Sequence, residues 1–112
     1  MKERDVVRII LDAARRAGRA GKPVWAAKLH GSPYQQVGLP DILMVVAGRA
    51  VFIEAKSSRG TVTPIQAAVH KALKRAGAVV LIARPAEWPG GRSGVILAPT
   101  GGSESGADAA CS

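Results

Sequence analysis

The chain has 112 residues, enough for one domain with its own core, and 47% are hydrophobic against 21% charged, the balance of an ordinary globular fold. Sixteen Lys and Arg face eight Asp and Glu, a net charge of +8; this excess favours a polyanionic partner, nucleic acid first, although an inert basic surface would look the same. No apolar run approaches the roughly 18 residues of a membrane span, MKERDVVRII lacks a signal peptide's apolar stretch, and Cys111 has no partner, so a cytoplasmic, disulfide-free protein is expected.

ERDVVRIILDAARRAGR (3–19) places Val6, Ile10, Ala13, Ala14 and Ala17 on one stripe of a helix, with Arg8, Arg15, Arg16 and Arg19 mostly outside it. GRAGKP ends that helix, and VWAAKLH (24–30) reads as a short strand with Lys28 near its end. After the loop HGSPYQQVGLP, two apolar strands (42–46 and 50–55) form a hairpin, with Gly48-Arg49 read as a type II′ turn. Leu43, Val45 and Phe52 make one face apolar and Ile42, Met44, Val46, Val51 and Ile53 the other, which predicts a central layer covered from both sides.

TPIQAAVHKALKRAG (63–77) is the clearest helix: Thr63 caps it, Pro64 takes the first position and Gly77 stops it. AVVLIAR (78–84) follows as a buried strand, so a right-handed crossover and a parallel pairing are expected. PAEWPGGRSG (85–94) reads as loop, and GVILAP as a short terminal strand at most. The predicted order is α-β-β-β-α-β, a mixed central sheet with flanking helices in an α/β sandwich. Residues 1–98 form the single domain and 99–112 a polar tail.

In a hairpin turned on Gly48-Arg49, residues whose numbers sum to 97 face each other. Asp41 then lies opposite Lys56 with Glu54 on the diagonal, all three on one face. Two carboxylates this close repel unless a cation lies between them. Oxygen donors without Cys or His suit Mg²⁺ or Mn²⁺, and the Ala55 carbonyl would be a further ligand. Such an ion would activate a water and stabilise charge on a phosphate, with Lys56 positioning or deprotonating the water. The competing reading is a buried ion-pair cluster, a weak source of stability.

Pro40-Asp41, twelve residues and then Glu54-Ala55-Lys56 resembles the PD-(D/E)XK nuclease signature. Gly38-Leu39 before Pro40, Phe52-Ile53 before Glu54, the Thr-Pro-Ile-Gln helix start and Gly77 followed by a strand are similar to its VRR-Nuc branch, over about Glu3 to Arg84. The resemblance implies a restriction-endonuclease-like fold and a Mg²⁺- or Mn²⁺-dependent DNA endonuclease. It makes Asp41, Glu54, Ala55 (through its carbonyl) and Glu3 metal ligands, Lys56 the catalytic lysine, and Gln66 a residue beside the site. It also implies a homodimer acting on branched DNA, Holliday junctions above all.

Read without the resemblance, Gln66 is an exposed residue of the first helical turn, Glu3 a solvated glutamate and Lys28 either a phosphate contact or a plain surface lysine. Arg59, Lys71, Lys74 and Arg75 suit phosphate contacts, or equally a solvated basic face. His70, among those cations, reads as a surface or packing residue, His30 as a loop histidine and Trp25 as a packing residue. The alternative function is a basic nucleic-acid-binding module with an inactive nuclease fold.

Overall fold

The apolar stripe of the first segment becomes α1 (Glu3–Arg19). Val6, Val7, Ile10, Leu11 and Ala14 are buried, while Arg8, Arg15, Arg16 and Arg19 face solvent. The computed structural model describes residues 1–29 and 36–100; His30 and the tail from 101 onward lie outside that range. Along the chain follow β1 (Val24–Lys28), β2 (Ile42–Val46), β3 (Arg49–Ala55), α2 (Pro64–Arg75), β4 (Val79–Trp88) and β5 (Arg92–Pro99).

The five strands lie side by side in sequence order. All neighbours are antiparallel except β3 and β4, which α2 joins as a parallel pair. The buried side of α1 packs on Ala26, Ile42, Ile53, Ala55 and Ala83, the core on one face of the sheet. The start of α2 is closed by a reciprocal cap: Thr63 Oγ1 accepts from the Gln66 N–H at 3.2 Å, and Gln66 Oε1 accepts from the Thr63 N–H at 3.1 Å.

Three features differ from the sequence reading. First, β2 and β3 pair Ile42 with Ile53 and Val46 with Arg49, so paired numbers sum to 95 rather than 97. The turn is Ala47-Gly48, with φ of 49° and 83°, and two positive φ angles make it type I′ rather than II′. Because the shift is even, no side chain changes face.

Second, within residues 85–94 only 89–91 form a turn, and the rest is strand. β4 runs on to Trp88 and pairs with β5 from Leu81↔Pro99 to Trp88↔Arg92. Pro85 is tolerated because β3 pairs with β4 only as far as Ala83. Backbone groups alternate along the strand, and Ala83 O accepts from Lys56 N–H on the β3 side. The donor-less nitrogen of Pro85 therefore lies on that same side, where β3 has already ended. β5 reaches Pro99 and Thr100 is buried.

Third, the two faces are not covered alike. α2 packs on β4, and over β1 and β2 its face stays open: Trp25 is 59% exposed and its partner Val45 36%. Trp25 is thus a surface residue, not the packing residue expected.

Gly38 fixes how the segment before Asp41 meets α2. Its φ is +89°, and a Cβ there would lie 2.7 Å from Ile65 Cγ2 and 3.1 Å from Val69 Cγ2. Gly38→Ala is expected to cost about 1–3 kcal/mol through strain and overpacking. In a domain this size each kcal/mol lowers Tm by about 4–8 °C; a thermal melt unchanged from wild type would contradict this.

Candidate active site

The end of β3 carries charges into the protein interior. Glu54 is 3% exposed and Lys56 7%, and strand alternation aims both away from the α1 core, into which Ala55 points. Buried charges are costly unless bonded, and α2 supplies a partner for each. Lys56 Nζ donates to Gln66 Oε1 at 2.7 Å. Glu54 Oε1 lies 3.1 Å from Nε2 of His70, itself 2% exposed.

Asp41 reaches the same place from β2's leading end, behind the fully buried Pro40. Its N–H donates to Ile53 O at 3.1 Å, and its Oδ2 accepts from the Ala55 N–H at 2.8 Å. Asp41 therefore holds the peptide groups on both sides of Glu54. Continuing the observed register sets it across from Glu54, not Lys56 as the expected turn required.

The electrostatics follow from that placement. Burial pushes the Glu54 carboxyl above the usual range; the His70 contact acts against this, Asp41 adds to it by hydrogen bond and charge, and Lys56 opposes it. Among the described residues no group of three or more His, Cys, Asp or Glu could hold a metal ion. The donor set is two carboxylates and a main-chain carbonyl. Such a set suits a cation that keeps several waters and is held by one or two carboxylates plus phosphate.

No known family profile matches the sequence, and no curated protein does. Solved structures do match. One is Hjc, a Holliday junction resolvase from the archaeal hyperthermophile Archaeoglobus fulgidus, with TM-score 0.55 and 19% identity, over 87% of this chain and 72% of that one. Another is a VRR_NUC domain, with TM-score 0.53 and 25% identity, over 73% of this chain and 84% of that one. The chain has a restriction-endonuclease-like fold. The resemblance to VRR-Nuc read from the sequence is thus supported in three dimensions, and the similarity supports a nuclease.

Within this restriction-endonuclease-like fold, Asp41, Glu54, Ala55, Lys56 and Gln66 come together as expected from the sequence. Glu3 is exposed in the first turn of α1, and among the described residues no hydrogen bond or ion pair ties it to the site. Lys28 is exposed and pairs with Ile42, a residue of the α1 core, so it projects from the opposite face. Arg59, Lys71 and Arg75 are exposed, whereas Lys74 Nζ donates to Thr100 O at 3.4 Å.

Two site residues escaped the sequence reading. His70 is an inward residue bonded to Glu54; the available signal was its position four residues after Gln66. Arg84 Nη1 donates to Ser57 O at 2.8 Å and Gly60 O at 2.6 Å, pinning the loop that follows Lys56. Its signal was a lone arginine closing the apolar run AVVLIA.

The raised Glu54 pKa sets a direction for stability. A carboxyl with a higher pKa folded than unfolded contributes stability that is fully present below the unfolded pKa and lost as pH rises through the folded one. In EDTA, the Tm of wild type should therefore fall relative to Glu54→Gln as pH rises from about 4 to about 8. Parallel Tm profiles for the two proteins would refute it.

Proposed function

We propose that the chain is a Mg²⁺- or Mn²⁺-dependent endodeoxyribonuclease that hydrolyses phosphodiester bonds in branched DNA, Holliday junctions in particular, and works as a homodimer in the cytoplasm. The observation that carries this reading is the buried Asp41–Glu54–Lys56 constellation at the end of β3, set in a fold shared with nucleases. Branched DNA is favoured by the similarity to an enzyme described as a Holliday junction resolvase. The homodimer comes from the VRR-Nuc resemblance. Among the described residues, no helix is long and apolar enough to cross a membrane.

Asp41, Glu54 and the Ala55 carbonyl would hold the cation. When bound, a divalent ion supplies positive charge to the scissile phosphate and makes a nucleophile available at neutral pH. Lys56 is the catalytic lysine: it stabilises charge building on the phosphate and orients the attacking water. Gln66, by accepting from Lys56 Nζ at 2.7 Å, keeps that ammonium in place. Around the site Arg59, Lys71 and Arg75 contact phosphates, consistent with a net charge of +8.

Four-way junction, flap, duplex and single-stranded DNA incubated with the protein should be cut with Mn²⁺ or Mg²⁺ and left intact with EDTA, the junction fastest. Asp41→Asn, Glu54→Gln and Lys56→Met should each lower the rate by about 100-fold or more while the proteins stay folded. Absence of cutting of every substrate with Mn²⁺ at any protein concentration would end the enzyme reading. Binding should weaken with salt, and each phosphate-contacting residue replaced by Ala should flatten the slope of log K against log salt by about 0.9. Arg59, Lys71 and Arg75 are the positions to replace; slopes unchanged in all three variants would place the DNA on another surface.

A further inference from the structure

His70 stands where a purely structural helix residue would be apolar. It faces inward beside Val69 on a helix whose cations, Lys71, Lys74 and Arg75, face outward or lie half-buried. At 2% exposure, an imidazole must be bonded to avoid a desolvation cost. His70 Nε2 lies within hydrogen-bond distance of Glu54 Oε1, while Lys56 is committed to Gln66.

The spacing of the two contacts is no accident of one rotamer. Gln66 and His70 are four apart on a helix, about 6 Å along its axis. Glu54 and Lys56 are two apart on a strand, about 6.6 Å. The two intervals match, so α2, running back against β3, lays Gln66 on Lys56 and His70 on Glu54 together. One contact fixes the ammonium and the other fixes the carboxylate.

We propose that His70 is the positioning residue of Glu54: by donating from Nε2 to Oε1 it sets the rotation of the carboxylate and leaves the other oxygen for the divalent cation. The terminal torsion of a glutamate is otherwise broad, and a 3%-exposed carboxylate has little water to orient it. A hydrogen bond to the non-coordinating part of a ligand tunes affinity in the way outer partners of metal sites do. The inference rests on the nuclease reading above, and its test separates the two.

The test reads metal binding without DNA, as the Mn²⁺-induced rise in melting temperature, alongside cleavage at graded Mn²⁺. For a folded His70→Leu, the Mn²⁺ concentration giving half of the thermal shift should rise roughly 10–100-fold, with cleavage recovering towards wild type at saturating Mn²⁺. His70→Gln, which restores a donor, should bring the midpoint back close to wild type. A folded His70→Leu with the wild-type midpoint overturns the proposal. If His70→Leu does not fold, His70→Gln decides: a midpoint near wild type supports it, and a loss of roughly tenfold or more overturns it. A wild-type protein with neither Mn²⁺-induced stabilisation nor Mn²⁺-dependent cleavage instead overturns the nuclease reading, and this proposal with it.

Discussion

Glu54 and Lys56 carry opposite charges two residues apart at the end of a strand whose neighbours bury them, and water reaches neither freely. That placement constrains everything set above it. Neither charge is used to neutralise the other through direct contact; each is bonded instead to α2. A helix must therefore cross this end of β3 with a hydrogen-bonding group every four residues on its inner side. Two polar inner residues in a short helix reduce its apolar packing, and Val69, beside His70, is the inner apolar residue that remains buried. Interactions with the strand's charges thus take over part of what hydrophobic contact does for α1.

The connection between β3 and β4 makes that crossing possible. A parallel pair requires the chain to return along the opposite face, so the start of α2 falls near the end of β3. The cap then does two things at once. Gln66 Oε1 closes the helix by accepting from Thr63 and also accepts from Lys56, so the residue that starts the helix also anchors the ammonium. Arg84 holds the intervening loop through two carbonyls. On the other flank, Asp41 ties the backbone on either side of Glu54. The site is in this way braced from β2, from β4 and from α2.

Much of this was legible in the residues. The periodicity of 3–19, the Thr63-Pro64 start and the alternation that sets Asp41, Glu54 and Lys56 on one face all follow from local rules, and each is found in the structure. The register was missed because Ala47 takes a positive φ, a conformation that favours glycine or asparagine and so gave no warning in the sequence. The hydrogen-bonded role of His70 was hidden for another reason. A histidine among Lys71, Lys74 and Arg75 looks solvated until the tilt of the helix is known, and tilt is a tertiary property. In the sequence β4 ends at Arg84, because a proline normally argues against a central strand; the rule holds, but here the strand has become an edge before Pro85 is reached.

That edge matters for how the protein behaves in company. Where β3 stops, β4 exposes a run of backbone that would otherwise accept a strand from another molecule, the usual first step of sheet-to-sheet aggregation. Pro85 has no N–H to offer at that point, and the exposed Glu87 two residues on adds a charge. The proline that obscured the strand in the sequence keeps the free stretch of β4 from being extended by a neighbour.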